Sequence, residues 1–179
     1  MKKQPTDKLR VNILGMLVAV IGFGLLVVYL TIALSAQDLL FFTTGFDALP
    51  ERIVIYQAGQ RVELRSGQPG YMEMAEAVRV CLAQGTARAS GIGLSQGSLD
   101  DAFGLYLTVE AFFSQPVKLH AAYNTGAPNQ MLFPITGRHS DQPVVFLGKD
   151  GAYLANGPVL KTVQPIRETL TTLGFYGAP

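Results

Sequence analysis

ILGMLVAVIGFGLLVVYLTIAL, residues 13–34, holds 14 Leu, Ile, Val or Phe in 22 positions and no charge. The uncharged run is longer still, Val11 to Gln37, 27 residues. At 1.5 Å per residue a 22-residue helix spans about 33 Å, against a bilayer core of about 30 Å. In hydrocarbon every peptide group must be paired within the segment, so such a run inserts as a helix, and Gly15, Gly22 and Gly24 are tolerated there. On an insertion scale the apolar residues favour transfer by about 4 to 8 kcal/mol, an upper bound. Residues 11–36 are therefore expected to form one transmembrane helix, preceded by a basic tail, 1–10, and followed by an apolar juxtamembrane linker, 37–51. The remaining residues, 52–179, suffice for one ordinary domain.

Lys2, Lys3, Lys8 and Arg10 precede the span with only Asp7 against them, whereas Asp38, Asp47 and Glu51 follow it. The excess of basic residues predicts a cytoplasmic amino terminus and an extracytoplasmic domain. From Asp38 onward ten basic residues face twelve acidic ones, a net charge of −2, which favours neither nucleic acid nor an anionic surface as a partner. A cleavable secretory signal is the competing reading, with Ala33, Ser35 and Ala36 as small residues near a cut. Signal cores run about 7 to 15 apolar residues, so an uncleaved anchor is expected. Gly15 and Ala19 form a small-x-x-x-small pair that would admit a neighbouring helix. Beyond Asp38 the apolar character continues through Leu39, Leu40, Phe41, Phe42 and Phe46. These five, with Gly15 and Ala19, are the expected contacts to the bilayer, to the domain or to other membrane subunits.

Within the domain, Ile53–Tyr56 and Val62–Leu64 read as two strands around Ala58-Gly59-Gln60, a hairpin. Tyr71, Met74, Ala75, Val78, Cys81 and Leu82 recur at helical spacing between Pro69 and Gly85. Ser98-Leu-Asp-Asp101 resembles a helix start of about one turn. Leu105 to Ser114 alternates, with Leu105, Leu107, Val109, Ala111 and Phe113 on one face, and Val117, Leu119, Ala121 and Tyr123 alternate afresh past Pro116. Met131–Thr136, Val144–Leu147 and Ala152–Leu154 complete the strands. Val163, Ile166, Leu170 and Leu173 form the stripe of a last helix, capped by Thr162 and stopped by Gly174. Strand runs between isolated helices predict an α+β domain with a mainly antiparallel sheet and two packing helices.

Candidate chemistry is sparse. Gly93-Leu-Ser95-Gln-Gly97 fits the nucleophile-elbow pattern, with Asp100 or Asp101 and His120 or His139 later in the chain, which makes Ser95 the one candidate nucleophile. An elbow needs a strand entering and a long helix leaving, and Gly85 to Gly91 shows no strand alternation, so a helix-capping Ser is the simpler reading. His139-Ser-Asp141 reads as a solvated turn and His120 as an exposed strand residue. Two His nineteen apart and one Cys do not make a zinc site, no calcium-loop spacing occurs, and no cofactor is implied. Cys81, on an apolar helix stripe, reads as a buried thiol, and mid-strand Glu110 as solvated or paired.

Arg52-Ile-Val-Ile-Tyr-Gln-Ala-Gly59, Leu132-Phe-Pro-Ile-Thr-Gly137 and Val145-Phe-Leu-Gly-Lys-Asp-Gly-Ala-Tyr153 resemble segments of uncharacterised single-pass membrane-anchored proteins of green non-sulfur bacteria. The resemblance covers most of the domain and implies a bacterial plasma membrane and an anchored outer domain. It supplies no catalytic residue. The expected role is that of a non-catalytic accessory or assembly subunit of a membrane protein complex. The alternatives are a ligand- or peptide-binding module, for which Tyr106, Phe112 and Tyr123 would line a deep pocket, and a serine hydrolase using Ser95.

Overall fold

The computed structural model describes residues 13–155 and 157–176. The basic residues 1–10 on which the expected orientation rests lie outside them. The apolar run forms one helix, α1 (Ile13–Ala36), whose side chains are almost all exposed until Ala33 and Ala36. It ends where Gln37 takes a left-handed conformation, φ 54°, so that Gln37 N–H reaches Leu34 O at 3.3 Å and Asp38 N–H reaches Ala33 O at 3.0 Å. This pair of bonds satisfies carbonyls that would otherwise be orphaned at the helix end.

The domain is α+β, as its pattern of elements predicts. Strands β1 (Arg52–Gln57) and β2 (Gln60–Arg65) form the expected hairpin, followed by α2 (Tyr71–Ala83), β3 (Thr86–Ala89), α3 (Gln96–Gly104), β4 (Thr108–Phe112), β5 (Gln130–Pro134), β6 (Phe146–Lys149), β7 (Ala152–Tyr153), β8 (Pro158–Leu160) and α4 (Gln164–Thr172). Six strands pair antiparallel in the order β2-β1-β4-β5-β6-β7, and β3 and β8 form a separate antiparallel pair. Pairing of Ile53 with Ala111 and of Val109 with Phe133 brings Ile53, Ile55, Val109, Ala111, Met131 and Phe133 onto one face. Helices α2 and α4 cover that face through Met74, Val78, Cys81, Ile166 and Leu170 to make the main core. Burying each such side chain contributes roughly 1.5–3 kcal/mol.

The opposite face carries Val54, Thr108, Glu110, Leu132 and Phe146, and these are buried too. Ala102 of α3 and Val159 of β8 share a second core with Leu132, Val144 and Phe146, while Phe103 stacks on Tyr56 at 4.4 Å between ring centroids. A face of mixed polarity therefore becomes interior, because a third helix and a small ribbon are laid across it.

Four expectations change. Helix α3 begins before Ser98 and runs about two and a half turns, with Ser95 as its cap in keeping with the helix-capping reading of that residue. Thr86–Ala89, read as a loop, is a strand whose partner lies some 70 residues on, Thr86 facing Leu160. The Leu105–Ser114 strand shortens to Thr108–Phe112, since Leu105 and Tyr106 close the end of α3 by donating to Asp101 O. The Val117–Tyr123 stretch keeps its alternation, with Val117, Leu119 and Ala121 buried, but pairs with no strand. Burial of one side alone is enough to impose period two.

Candidate functional site

Two polar constellations stand out, and neither is announced by a motif. The first sits at the junction of α1 and the domain. Asp38 directly follows the helix cap and is only 4% exposed. One carboxylate oxygen lies 2.7 Å from His120 Nδ1; the other accepts from the Leu40 amide at 2.9 Å and pairs with Lys118 Nζ at 3.1 Å. His120 and Lys118 lie on the unpaired alternating stretch, which brings one residue in every two toward the helix end. Burial pushes the Asp38 carboxyl up, but the hydrogen bonds from His120, Leu40 and Lys118 outweigh it and hold the carboxyl below its ordinary value. The result is a clamp, with buried Ala33 and Ala36 beside it, that fixes the domain to the last turns of α1.

The second constellation is built on Glu110, at 3% exposure. Its neighbours follow from sheet register. Val54 stands beside it on β1 and Leu132 on β5, Gln130 is diagonal across β5, and Tyr153 reaches in from β7. Tyr56 donates to one oxygen at 2.9 Å, Gln130 Nε2 donates to the other at 2.5 Å, and the Tyr153 hydroxyl donates to that same oxygen. Gln130 Nε2 also donates to Tyr153 Oη at 3.0 Å. Gly148 makes room for this, since a Cβ there would lie 3.2 Å from Gln130 Cβ and 3.3 Å from the Tyr153 ring. Burial and then the Glu110 charge push the Tyr56 phenol up to about 12 and the Tyr153 phenol further still. Three neutral donors occupy this carboxylate, and they tie β1, β4, β5 and β7 together.

Beyond the tie, the same face opens to solvent. Glu63 of β2 pairs with Arg61 at 2.5 Å, Arg65 at 2.6 Å and Arg52 at 3.6 Å, and the Arg52 guanidinium lies 3.7 Å over the Phe112 ring. Arg52, Arg65, Phe112, Gln130 and Asp150 wall a shallow cavity of about 510 Å³.

The residues singled out from sequence are distributed as follows. Gly15 and Ala19 lie one turn apart on the exposed part of α1. Leu39, Leu40 and Phe42 are exposed, and Phe41 is half-buried. Phe46 parts company with them: it is a core residue, 5% exposed, edge-on to Phe113 at 5.7 Å, so its contact is with the domain itself. Ser95 is the N-cap of α3, its Oγ accepting from the Ser98 amide at 3.2 Å and lying 3.0 Å from Ser98 Oγ. Of its supposed partners, His120 belongs to the Asp38 clamp and His139 lies edge-on to Phe146. Phe112 lines the cavity under Arg52, whereas Tyr106 packs on Gly137. Cys81 is buried, and desolvation pushes its thiol up to about 11. Among the described residues no group of three or more His, Cys, Asp or Glu is placed to hold a metal.

Sequence reading missed both constellations. For the clamp the usable signal was a lone acid immediately after an apolar helix, together with a Lys-x-His on one side of an alternating stretch. For Glu110 no local signal existed, since its donors lie 54, 20 and 43 residues away. No family model, no curated protein and no solved structure matches the chain. Among the described residues one helix, Ile13–Ala36, is long and apolar enough to cross a membrane, a property that a signal sequence shares.

Proposed function

We propose that the protein is a single-pass component of a bacterial plasma membrane, amino terminus in the cytoplasm, whose extracytoplasmic domain acts by contacting other membrane protein subunits as a non-catalytic accessory or assembly factor. The observation that carries this reading is the Asp38 clamp. A domain whose job is to capture a soluble substrate needs only a tether, whereas this one is held against the helix end by a buried carboxylate with three donors. Such coupling presents fixed domain surfaces at a fixed height above the bilayer, which suits contact with neighbours in the same membrane. The chemistry of the interior supports it: Glu110 is occupied by neutral donors and Ser95 by its own helix.

Carbonate washing should leave the chain in the membrane fraction, and protease added to spheroplasts should remove its carboxyl-terminal domain. Mild-detergent purification followed by mass spectrometry should return co-migrating membrane subunits; a clean monomer at every detergent level refutes the assembly role. The cavity beside Phe112, lined by Arg52 and Arg65 together with Glu51 and Asp150, supports a second reading, capture of a small polar ligand. Loss of ligand-induced thermal stabilisation in Arg52→Ala would favour it.

A further inference from the structure

The juxtamembrane residues do not lead away from α1. They turn back beside it. Tyr29, seven residues before the helix end and so about 10 Å back along its axis, stacks against Phe41 at 5.8 Å and Phe42 at 6.2 Å between centroids, and Phe41 meets Phe42 edge-on at 5.6 Å. The Leu39–Phe42 turn thus lies alongside the last turns of the helix. Leu39, Leu40 and Phe42 point outward at 60%, 52% and 65% exposure.

A turn that met only water would leave its backbone groups to solvent. Here three of them, Leu39 O, Leu40 N–H and Leu40 O, are paired internally. Tyr29 Oη donates to Leu39 O at 2.8 Å, Leu40 N–H donates to Asp38 Oδ1 at 2.9 Å, and both the amide and the hydroxyl of Thr43 donate to Leu40 O at 2.8 Å. Partial pairing of this kind suits the headgroup level, where water reaches the remaining groups, and not the hydrocarbon core, which would require every one to be paired. A Tyr with its ring among apolar side chains and its hydroxyl bonded is also the side chain favoured at the headgroup level.

We propose that the Leu39–Phe42 turn is a membrane-interface collar, seated with Tyr29 in the headgroup–acyl boundary of the outer leaflet. The occupant of this surface is the bilayer itself, because the patch is continuous with the exposed flank of the helix that crosses it. The inference rests on the spanning role of α1. It places the outer domain flush on the lipid surface, with the Asp38–His120–Lys118 clamp just above the collar.

The chain contains no Trp, so single substitutions report depth without background. Phe42→Trp and Leu40→Trp, with Phe23→Trp as the mid-helix reference, are prepared in the full chain, checked for wild-type circular dichroism, and reconstituted in phosphatidylcholine vesicles carrying spin labels near the headgroup or deep in the acyl chain. F42W and L40W should both emit at short wavelength and be quenched about twofold more by the shallow label, as for groups buried 5–10 Å below the headgroups, while F23W is quenched more by the deep one. F42W and L40W unquenched by either label, with F23W quenched by the deep label, overturns the collar and leaves the span standing. Short-wavelength emission without quenching, together with a dimer in light scattering, assigns the patch to a second copy and also overturns it. An unquenched F23W removes the span and the collar together.

Discussion

Replacing Glu110 by Ala tests whether the buried carboxylate holds the sheet together. The substitution leaves one buried donor, an N–H of Gln130, and one part-buried donor, the Tyr153 hydroxyl, without their acceptor, while the part-buried Tyr56 hydroxyl turns to water. A buried donor stripped of its partner costs roughly 1–3 kcal/mol. Relief from keeping a charge in the interior offsets part of that, so the net loss should be about 2–4 kcal/mol. Glu110→Gln retains an acceptor oxygen and the shape, and should cost about 1 kcal/mol. Urea unfolding of the full chain in mild detergent, followed by tyrosine fluorescence, gives both values from the shift in midpoint. A second readout separates charge from packing. The Glu110 carboxylate helps hold Tyr56 at about 12, so both variants should lower its titration toward 10 in ultraviolet absorbance. If E110A unfolds within about 0.5 kcal/mol of wild type, or if Tyr56 titrates unchanged in both variants, the tie is not what fixes these strands.

Three further outcomes are expected. Asp38→Ala should expose residues 37–43 to protease while Phe46 stays in the core and the domain keeps its unfolding midpoint; since the carboxyl sits below its ordinary 3.8, the clamp should be fully present above that pH and lost as pH falls through the depressed value, and opening already at pH 6 would contradict it. Gly148→Ala should cost about 1–3 kcal/mol by overpacking against Tyr153 and Gln130, measured as a fall in urea midpoint. Ser95→Ala should cost about 1 kcal/mol as a lost helix cap and leave fluorophosphonate labelling as it was; labelling that disappears with the hydroxyl would revive the hydrolase.

Much of the fold follows from periodicity acting locally. The hairpin at Ala58-Gly59, the α2 stripe ending at Gly85 and the α4 stripe ending at Gly174 were legible because burial on one side imposes a period that each segment carries by itself. Where Tyr176 and Phe175 close α4 by donating to Leu170 O, the left-handed Gly174 that allows it stands in the sequence. Thr86–Ala89 was not legible, since three of its four side chains are exposed and only its distant partner makes it a strand. For Glu110 the choice between solvated and paired was left open for a related reason. Alternation marked its face as mixed, but whether a mixed face meets water depends on what is laid over it.

Composition and order along the chain by themselves determined that one apolar helix precedes one α+β domain, because hydrophobic length and period are properties of contiguous residues. Tertiary structure alone decided that Asp38 is clamped by His120 and Lys118, that Phe46 belongs to the core while Phe42 faces outward, and that Glu110 is interior. Each of these depends on pairings between segments tens of residues apart, and the free energy of a buried polar group is set by the partners that such pairings deliver, not by its neighbours in sequence.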